Sequence, residues 1–194
     1  ALSSAASDVY KRQQQYRLED NILRHFPAQI EENRGFLSGF EADMKTLEAH
    51  PHPKDGFAGM EVKGDLLTDK DNAGAAILEA FKDAKGMEPV PIGSYRGFAM
   101  SLTVEDFGRD FILTLKGKMN HRVTLGKDAR GNLTRIDNAL NAMPDRLQNV
   151  RNTLDALTAQ METAKAELGK PFPQEAELKE KSARLAELNA ELNI

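Results

Sequence analysis

The sequence predicts an α+β protein that is mostly helical, in which an antiparallel coiled-coil hairpin of long helices carries a small inserted α+β head. Apolar residues recur every three or four positions near both ends of the chain, which is typical of paired helices. In the middle they alternate with polar residues, which is typical of strands with one buried face. We therefore divide the 194 residues into 1–13, a first arm at 14–53, a head at 54–132, and a second arm with a C-terminal helix at 133–194.

We expect residues 1–13 to lie outside the natural protein. The chain begins with Ala1, so we expect that it was cut from a longer polypeptide. The letters DVYKRQ at 8–13 resemble the translation of a transposase adaptor used in sequencing libraries. We interpret 1–13 as a sequencing-adaptor or vector-like artefact and exclude it from the fold prediction, with the genuine start of a polar helix as the alternative.

The first arm has an apolar stripe at helical spacing. Pro27 lies within the stripe and predicts a kink, because proline cannot donate a backbone hydrogen bond. The stripe consists of Tyr16, Leu23, Phe26, Ile30, Leu37, Phe40, Met44 and Leu47.

The second arm has the same spacing and starts near 133, where Thr134 and Asp137 resemble a capping box. Pro144 predicts either a kink or a helix that restarts with proline in its first turn. The letters GKPFP at 169–173 predict that the helix stops, and a short amphipathic helix follows. The stripe consists of Leu133, Ile136, Leu140, Met143, Leu147, Val150, Leu154, Leu157, Met161, Ala164 and Leu168.

The head is predicted to be an antiparallel sheet with one helix packed on one face. Thr68 or Asp69 can cap that helix, which runs to about Lys85. His50 and His52 are expected to lie in a solvated linker that leads to the head. The alternating strand patterns lie at 60–62, 98–104, 111–115 and 123–125.

One basic segment stands out in a chain whose net charge is -4. Residues 111–135 hold six lysines and arginines against Asp128 alone, a local charge of +5. Such a hairpin could neutralise phosphates, with Tyr95, Arg96 and Phe98 supplying stacking or guanidinium contacts to a single strand. The same residues could instead be the solvated face of a structural hairpin. The candidate nucleic-acid-binding residues are Lys116, Lys118, Arg122, Lys127, Arg130, Arg135, Tyr95 and Arg96.

Several classes of site are not expected. The chain has no cysteine, which excludes disulfides and thiolate metal sites. It has no phosphate-binding loop and no nucleophile elbow, so we expect no catalytic residue, no cofactor and no metal. No apolar run approaches the roughly 20 residues of a membrane span. We expect a cytoplasmic protein without membrane contact.

Four segments carry a family resemblance. They read PVPIGSYRGFAMSL (89–102), LTLKG (113–117), GNLTRIDNAL (131–140) and METAKAELGKPFPQEAELKEKSARLAELNAEL (161–192). This pattern resembles the extreme C-terminal region of very large Swi/Snf-type helicases of bacterial conjugative elements and phages, which are often fused to an adenine-specific DNA methyltransferase. The motor and methyltransferase motifs of that family lie upstream of this region, so no catalytic residue is carried over.

The resemblance implies a non-catalytic accessory domain that positions or scaffolds a DNA helicase and methyltransferase of a mobile element. DNA and the other domains of the same polypeptide are the partners it implies. The alternative is a coiled-coil module for protein interaction or oligomerisation that does not contact DNA.

Overall fold

The chain folds into a mostly helical α+β structure with a six-stranded antiparallel sheet, and this part of the predicted fold class is confirmed. The computed structural model describes the backbone of residues 2–170 and 173–192, and their side chains except those of 173–179. The helices are α1 (Leu2–Asp20), α2 (Phe26–Ala49), α3 (Lys70–Ala80), α4 (Ala129–Asn141), α5 (Met143–Leu168) and α6 (Pro173–Leu192). The strands are β1 (Met60–Val62), β2 (Asp65–Leu67), β3 (Val90–Tyr95), β4 (Phe98–Glu105), β5 (Asp110–Lys116) and β6 (Asn120–Leu125).

The sheet has the strand order β2-β1-β3-β4-β5-β6, and all neighbours are antiparallel. Its two faces differ, as the alternation in the sequence predicts. One face carries the buried side chains of β4, β5 and β6, such as Met100, Leu113 and Val123. The other face carries mainly exposed or half-buried polar side chains, such as Ser101 and Thr114. We call it the open face.

Helices α3 and α4 cover the buried face. Asp69 caps α3 by accepting a hydrogen bond from the Asn72 amide at 2.9 Å. Of the two predicted caps, Thr68 and Asp69, the second is therefore confirmed. Helix α3 ends at Ala80 rather than near Lys85, because the backbone tightens there into i→i+3 hydrogen bonds, which begin with the Phe81 amide and the Leu78 carbonyl at 3.2 Å. The Phe81 ring stacks on Phe111, with ring centroids 4.1 Å apart.

Helix α4 begins earlier than predicted. Its cap is Asp128, which accepts a hydrogen bond from the Gly131 amide at 3.0 Å. The predicted capping box is therefore wrong: the Thr134 hydroxyl donates to the Arg130 carbonyl within the helix. Asp137 instead accepts a hydrogen bond from the Tyr95 hydroxyl.

Pro27 and Pro144 each lie in the first turn of a helix, where the missing proline N–H removes no hydrogen bond within that helix. Helix α4 ends at Asn141 and α5 begins at Met143, so Pro144 lies in a first turn, and the restart alternative is confirmed. Pro27 lies at the start of α2, directly after a π-helical segment at Asn21–His25. Helix α5 stops at Leu168, as predicted, whereas part of the corner at 169–173 lies outside the described residues.

Residue contacts group the chain into two units, Glu32–Thr153 and a second formed by Ala1–Glu31 and Leu154–Ile194. The first unit contains the sheet and the main core. In the second, Ile30 and Ala164 are buried, but Tyr16 and Leu23 are exposed although the sequence places them on a buried stripe. Among the described residues, every helix is too short or too polar to traverse a bilayer.

Candidate nucleic-acid interface

The eight residues predicted to contact nucleic acid do not form one surface. Lys116 pairs with Ala99 and Phe111 pairs with Leu125, so the two ends of the β5–β6 hairpin lie at opposite edges of the sheet. We call the edge with the turns at 96–97 and 117–119 the basic end. Arg96, Lys116 and Lys118 lie there; Lys127, Arg130 and Arg135 follow the opposite end of β6; Arg122 lies on the open face between them.

Three of the predicted arginines are already engaged by the protein. Arg122 donates to Glu105, and Arg135 donates to the Thr124 carbonyl at 3.2 Å. Arg130 donates to both carboxylate oxygens of Asp71, at 2.6 and 2.9 Å, and this hydrogen bonding lowers the pKa of the Asp71 carboxyl. These side chains would have to exchange an internal partner for a phosphate.

Tyr95 is not available for base stacking. Its side chain is 2% exposed, and its hydroxyl donates to Asp137 at 2.6 Å. Phe57 stacks on the ring, and His52 approaches its edge with its Nε2 3.2 Å from Asp137 Oδ1. The predicted stacking roles of Tyr95 and of the fully buried Phe98 are therefore corrected to roles in the core. His52 is half-buried rather than fully solvated.

The Tyr95–Asp137 bond predicts a pH dependence of stability. Burial, followed by the hydrogen bond to the carboxylate, raises the pKa of Tyr95 above the ordinary tyrosine value of about 10. Above about pH 10, Tyr95 loses its proton in the unfolded chain but keeps it in the folded chain. The free energy of unfolding should therefore fall by up to about 1.4 kcal/mol per pH unit from this group.

Urea unfolding at about pH 8 and about pH 10.5 tests whether the free energy of unfolding falls as predicted, with Tyr95→Phe as the matched variant. Wild type should lose more stability than the variant over that interval, since lysine titration is common to both. An equal loss in both proteins would contradict the expected shift.

Arg96 has a structural task at the basic end. It lies with Gly97 in the two-residue turn between β3 and β4, and both have positive φ, 47° and 84°. Its Nε donates to the His50 carbonyl at 2.9 Å, whereas its enclosed Nη1 has no hydrogen-bond partner among the described residues. Arg96 is half-buried, and the hydrogen-bonding capacity of its guanidinium is only partly satisfied within the described residues.

Lys116 and Lys118 differ from the arginines because they are exposed and form no ion pair within the described part of the chain. Lys116 ends β5 on the open face, and Lys118 lies in the turn to β6. Lys127 is also exposed without an ion pair, but at the opposite edge of the sheet. The two lysines at the basic end are thus the most available phosphate contacts.

The turn that presents these lysines is held by a buried carboxylate. Asp43 of α2 is 1% exposed, and its Oδ1 accepts from the Lys118 amide at 2.7 Å. Its Oδ2 accepts from the Met119 amide at 3.0 Å and from His121 at 2.7 Å. Three donors on one buried carboxylate satisfy its charge and fix the backbone of the turn.

His121 extends this cluster to α5. Arg146 lies 3.1 Å from its Nδ1, and because a guanidinium only donates, the hydrogen bonds assign the ring hydrogen to Nε2, which donates to Asp43. The histidine ring lies between Phe40 and Phe98, and the Arg146 guanidinium lies 4.9 Å from the centre of the Phe40 ring. We call Asp43, His121 and Arg146 the turn anchor.

Two glycines allow the turn to approach α2 this closely. A Cβ atom on Gly117 would lie 2.3 Å from Asp43 Oδ1, and one on Gly39 would lie 2.5 Å from the Met119 sulfur. A Cβ atom at Gly117 would displace the carboxylate that holds the turn, so glycine is required there, whereas a Cβ atom at Gly39 meets the end of the flexible Met119 side chain, which can shift.

The sequence analysis missed the turn anchor, although two signals mark it. Asp43 lies three residues after Phe40 and four before Leu47, which places a carboxylate on the apolar stripe of α2. His121 alternates with Val123 and Leu125 on the inward face of β6. Two polar residues on apolar faces each need a buried partner.

The described residues contain no group of three or more histidine, aspartate or glutamate side chains arranged to hold a metal ion. Comparison of the chain with protein-family models, with curated proteins and with solved structures gives no match.

Proposed function

We propose that this chain is a non-catalytic accessory module that positions a larger polypeptide against DNA, with the turn at 117–119 as its phosphate contact. The observation that carries this proposal is the turn anchor, in which the buried Asp43 carboxylate binds the Lys118 and Met119 amides and so fixes the turn that follows Lys116. Lys116 and Lys118 are both exposed and form no ion pair within the described part of the chain. A turn that is ordered before binding loses little conformational entropy when its lysines meet phosphates. This is the property expected of a positioning contact.

The expected partner is the backbone of duplex DNA. Phosphate contacts from lysines are independent of sequence and do not require unpaired bases. Single strands are usually held by exposed aromatic rings, whereas Phe40, Tyr95 and Phe98 at this part of the sheet are buried. Since the whole chain carries a charge of -4, binding should be weak and confined to the basic end.

Fluorescence anisotropy with labelled duplex and single-stranded DNA at several salt concentrations tests the proposal. Replacing both Lys116 and Lys118 with glutamine should lower the affinity and reduce the slope of log affinity against log salt by about two, one per lost phosphate contact. Lys127→Gln is the matched control for the single changes Lys116→Gln and Lys118→Gln, because it also removes one charge, but at the opposite edge of the sheet. It should leave the slope nearly unchanged.

Two outcomes would contradict the proposal. One is the absence of binding at low salt, and the other is an equal effect of Lys127→Gln and of either lysine at the basic end. The first outcome would also favour the alternative function described below.

The coiled-coil hairpin belongs to the same proposal. We infer that the helical segments on either side of the head pair antiparallel through their apolar stripes and act as a lever. The buried Ile30 and Ala164 support this inference, because both lie on predicted stripes and both belong to the unit formed by the two ends of the chain. The setting, an accessory region of a helicase and methyltransferase, rests on the sequence resemblance.

A second candidate function is protein interaction or oligomerisation without DNA contact. It is favoured by exposed leucines on α6, where Leu185, Leu188 and Leu192 lie three or four residues apart. An exposed stripe of this kind suits a partner helix.

A further inference from the structure

Phe107 is held in solvent by an unusual turn. Its side chain is fully exposed at the tip of the hairpin between β4 and β5. Asp106, Phe107 and Gly108 have φ values of 49°, 54° and 85°, so two residues with side chains adopt left-handed conformations in succession. Such conformations are unfavourable for a bulky residue, and no packing within the described residues accounts for them here. A strained turn that displays an apolar ring points to a partner that receives the ring.

A groove of about 400 Å³ lies at the other end of β4, beside the turn at 96–97. Ala58, Pro51 and the exposed Leu66 supply its apolar lining. Its polar groups include the half-buried Arg96 and the exposed carboxylate of Glu61, which accepts a hydrogen bond from the Ser94 hydroxyl at 3.1 Å. The groove therefore combines an apolar lining with one cationic and one anionic group.

The charges around Phe107 complement those of the groove. Asp106 and Arg109 flank the ring, and neither forms an ion pair within the described part of the chain. With Phe107 in the groove, the Asp106 carboxylate would carry the charge opposite to that of the half-buried Arg96. Arg109 could reach Glu61. Opposite charges on both sides of an apolar contact favour one partner and one orientation.

The partner must be another molecule, because Phe107 cannot reach the groove of its own chain. The eight residues of β4 separate the two sites by roughly 26 Å at about 3.3 Å per residue. We propose that a second copy of this chain places its Phe107 in the groove, so that the sheet units associate head to tail. This association requires no DNA.

A head-to-tail contact has a distinctive consequence. A pair of copies keeps one unused Phe107 knob and one unused groove, so the assembly grows as an open chain instead of closing as a symmetric dimer. The interface is small, so association should be weak and visible only at high protein concentration.

Sedimentation velocity over concentrations up to about 1 mM tests the proposal on the full chain. Wild type should show an average mass that keeps rising with concentration. Phe107→Ser and Leu66→Glu should each weaken association at least about tenfold. Both residues are exposed, so neither change should disturb the fold, and circular dichroism checks this.

Mixing the two variants gives the decisive result. One variant keeps only the groove and the other only the knob, so the mixture should form a one-to-one complex with the wild-type pairwise affinity and grow no further. Leu23→Ser is the control, because it removes a similarly exposed apolar side chain from the other unit. It should leave association unchanged.

Three results would overturn the proposal. They are a wild-type protein that stays monomeric, variants that associate as wild type does, and a mixture that stays monomeric. A loss of association in Leu23→Ser would also overturn it and would assign the contact to the helical arms.

Discussion

Replacing Asp43 with alanine is expected to lower the free energy of unfolding by about 3–5 kcal/mol. The change leaves the Lys118 and Met119 amides and the His121 ring without their buried acceptor. It also frees the turn that carries Lys118. Urea unfolding measures the loss of stability, and amide hydrogen exchange at residues 117–119 measures the loss of order in the turn.

Asp71→Ala is the matched control for this prediction. Asp71 likewise accepts hydrogen bonds from elsewhere in the chain, two of them from Arg130, but it is exposed, and water can replace its partner. Its loss should be much smaller than that of Asp43→Ala. Equal effects of the two changes would show that the turn anchor contributes no more than a surface ion pair.

Replacing Gly93 with alanine is expected to destabilise the sheet unit by about 3 kcal/mol. Gly93 has a φ of 153°, and a Cβ atom there would lie 1.9 Å from the carbonyl oxygen of Glu61. That oxygen belongs to the backbone of β1, so the clash cannot be relieved by turning a side chain. Strand β1 would have to separate from β3, which exposes Met60 and Val62.

Two other glycines separate the causes of this effect. Gly64 has a φ of 87° but no atom within 4 Å of an added Cβ, so Gly64→Ala should cost about 1 kcal/mol from the backbone alone. Gly86 has neither feature, and Gly86→Ala should be nearly neutral. Thermal or urea unfolding of the three variants should rank them in this order, and a Gly93→Ala protein as stable as Gly64→Ala would show that the strands accommodate the Cβ.

The sequence predicts the parts of the fold that have a strict period. Strands β4, β5 and β6 alternate clearly, and the proline at 144 marks the break between α4 and α5. Strand β2 has only three residues and no alternation that a pattern could reveal. Strand β3 contains Pro91 and Gly93 around a register shift, and these residues interrupt the alternation.

The candidate site is predictable only in part for a different reason. The local excess of lysine and arginine is visible in the sequence, but their internal partners are not. Glu105 and Asp71, which engage two of the predicted arginines, lie 17 and 59 residues away along the chain. Asp43 and His121 lie 78 residues apart, and only the packing of α2 against β6 brings them together.

The same separation has a consequence for the order of folding. A hairpin such as β5–β6 normally forms from local contacts, before distant parts of the chain meet. Here the 117–119 turn takes its acceptor from a helix 75 residues upstream, so closing it carries the entropy of a long loop. The turn at 117–119 therefore becomes fixed only once α2 has packed against the sheet. An isolated β5–β6 hairpin would lack the turn conformation that presents its lysines.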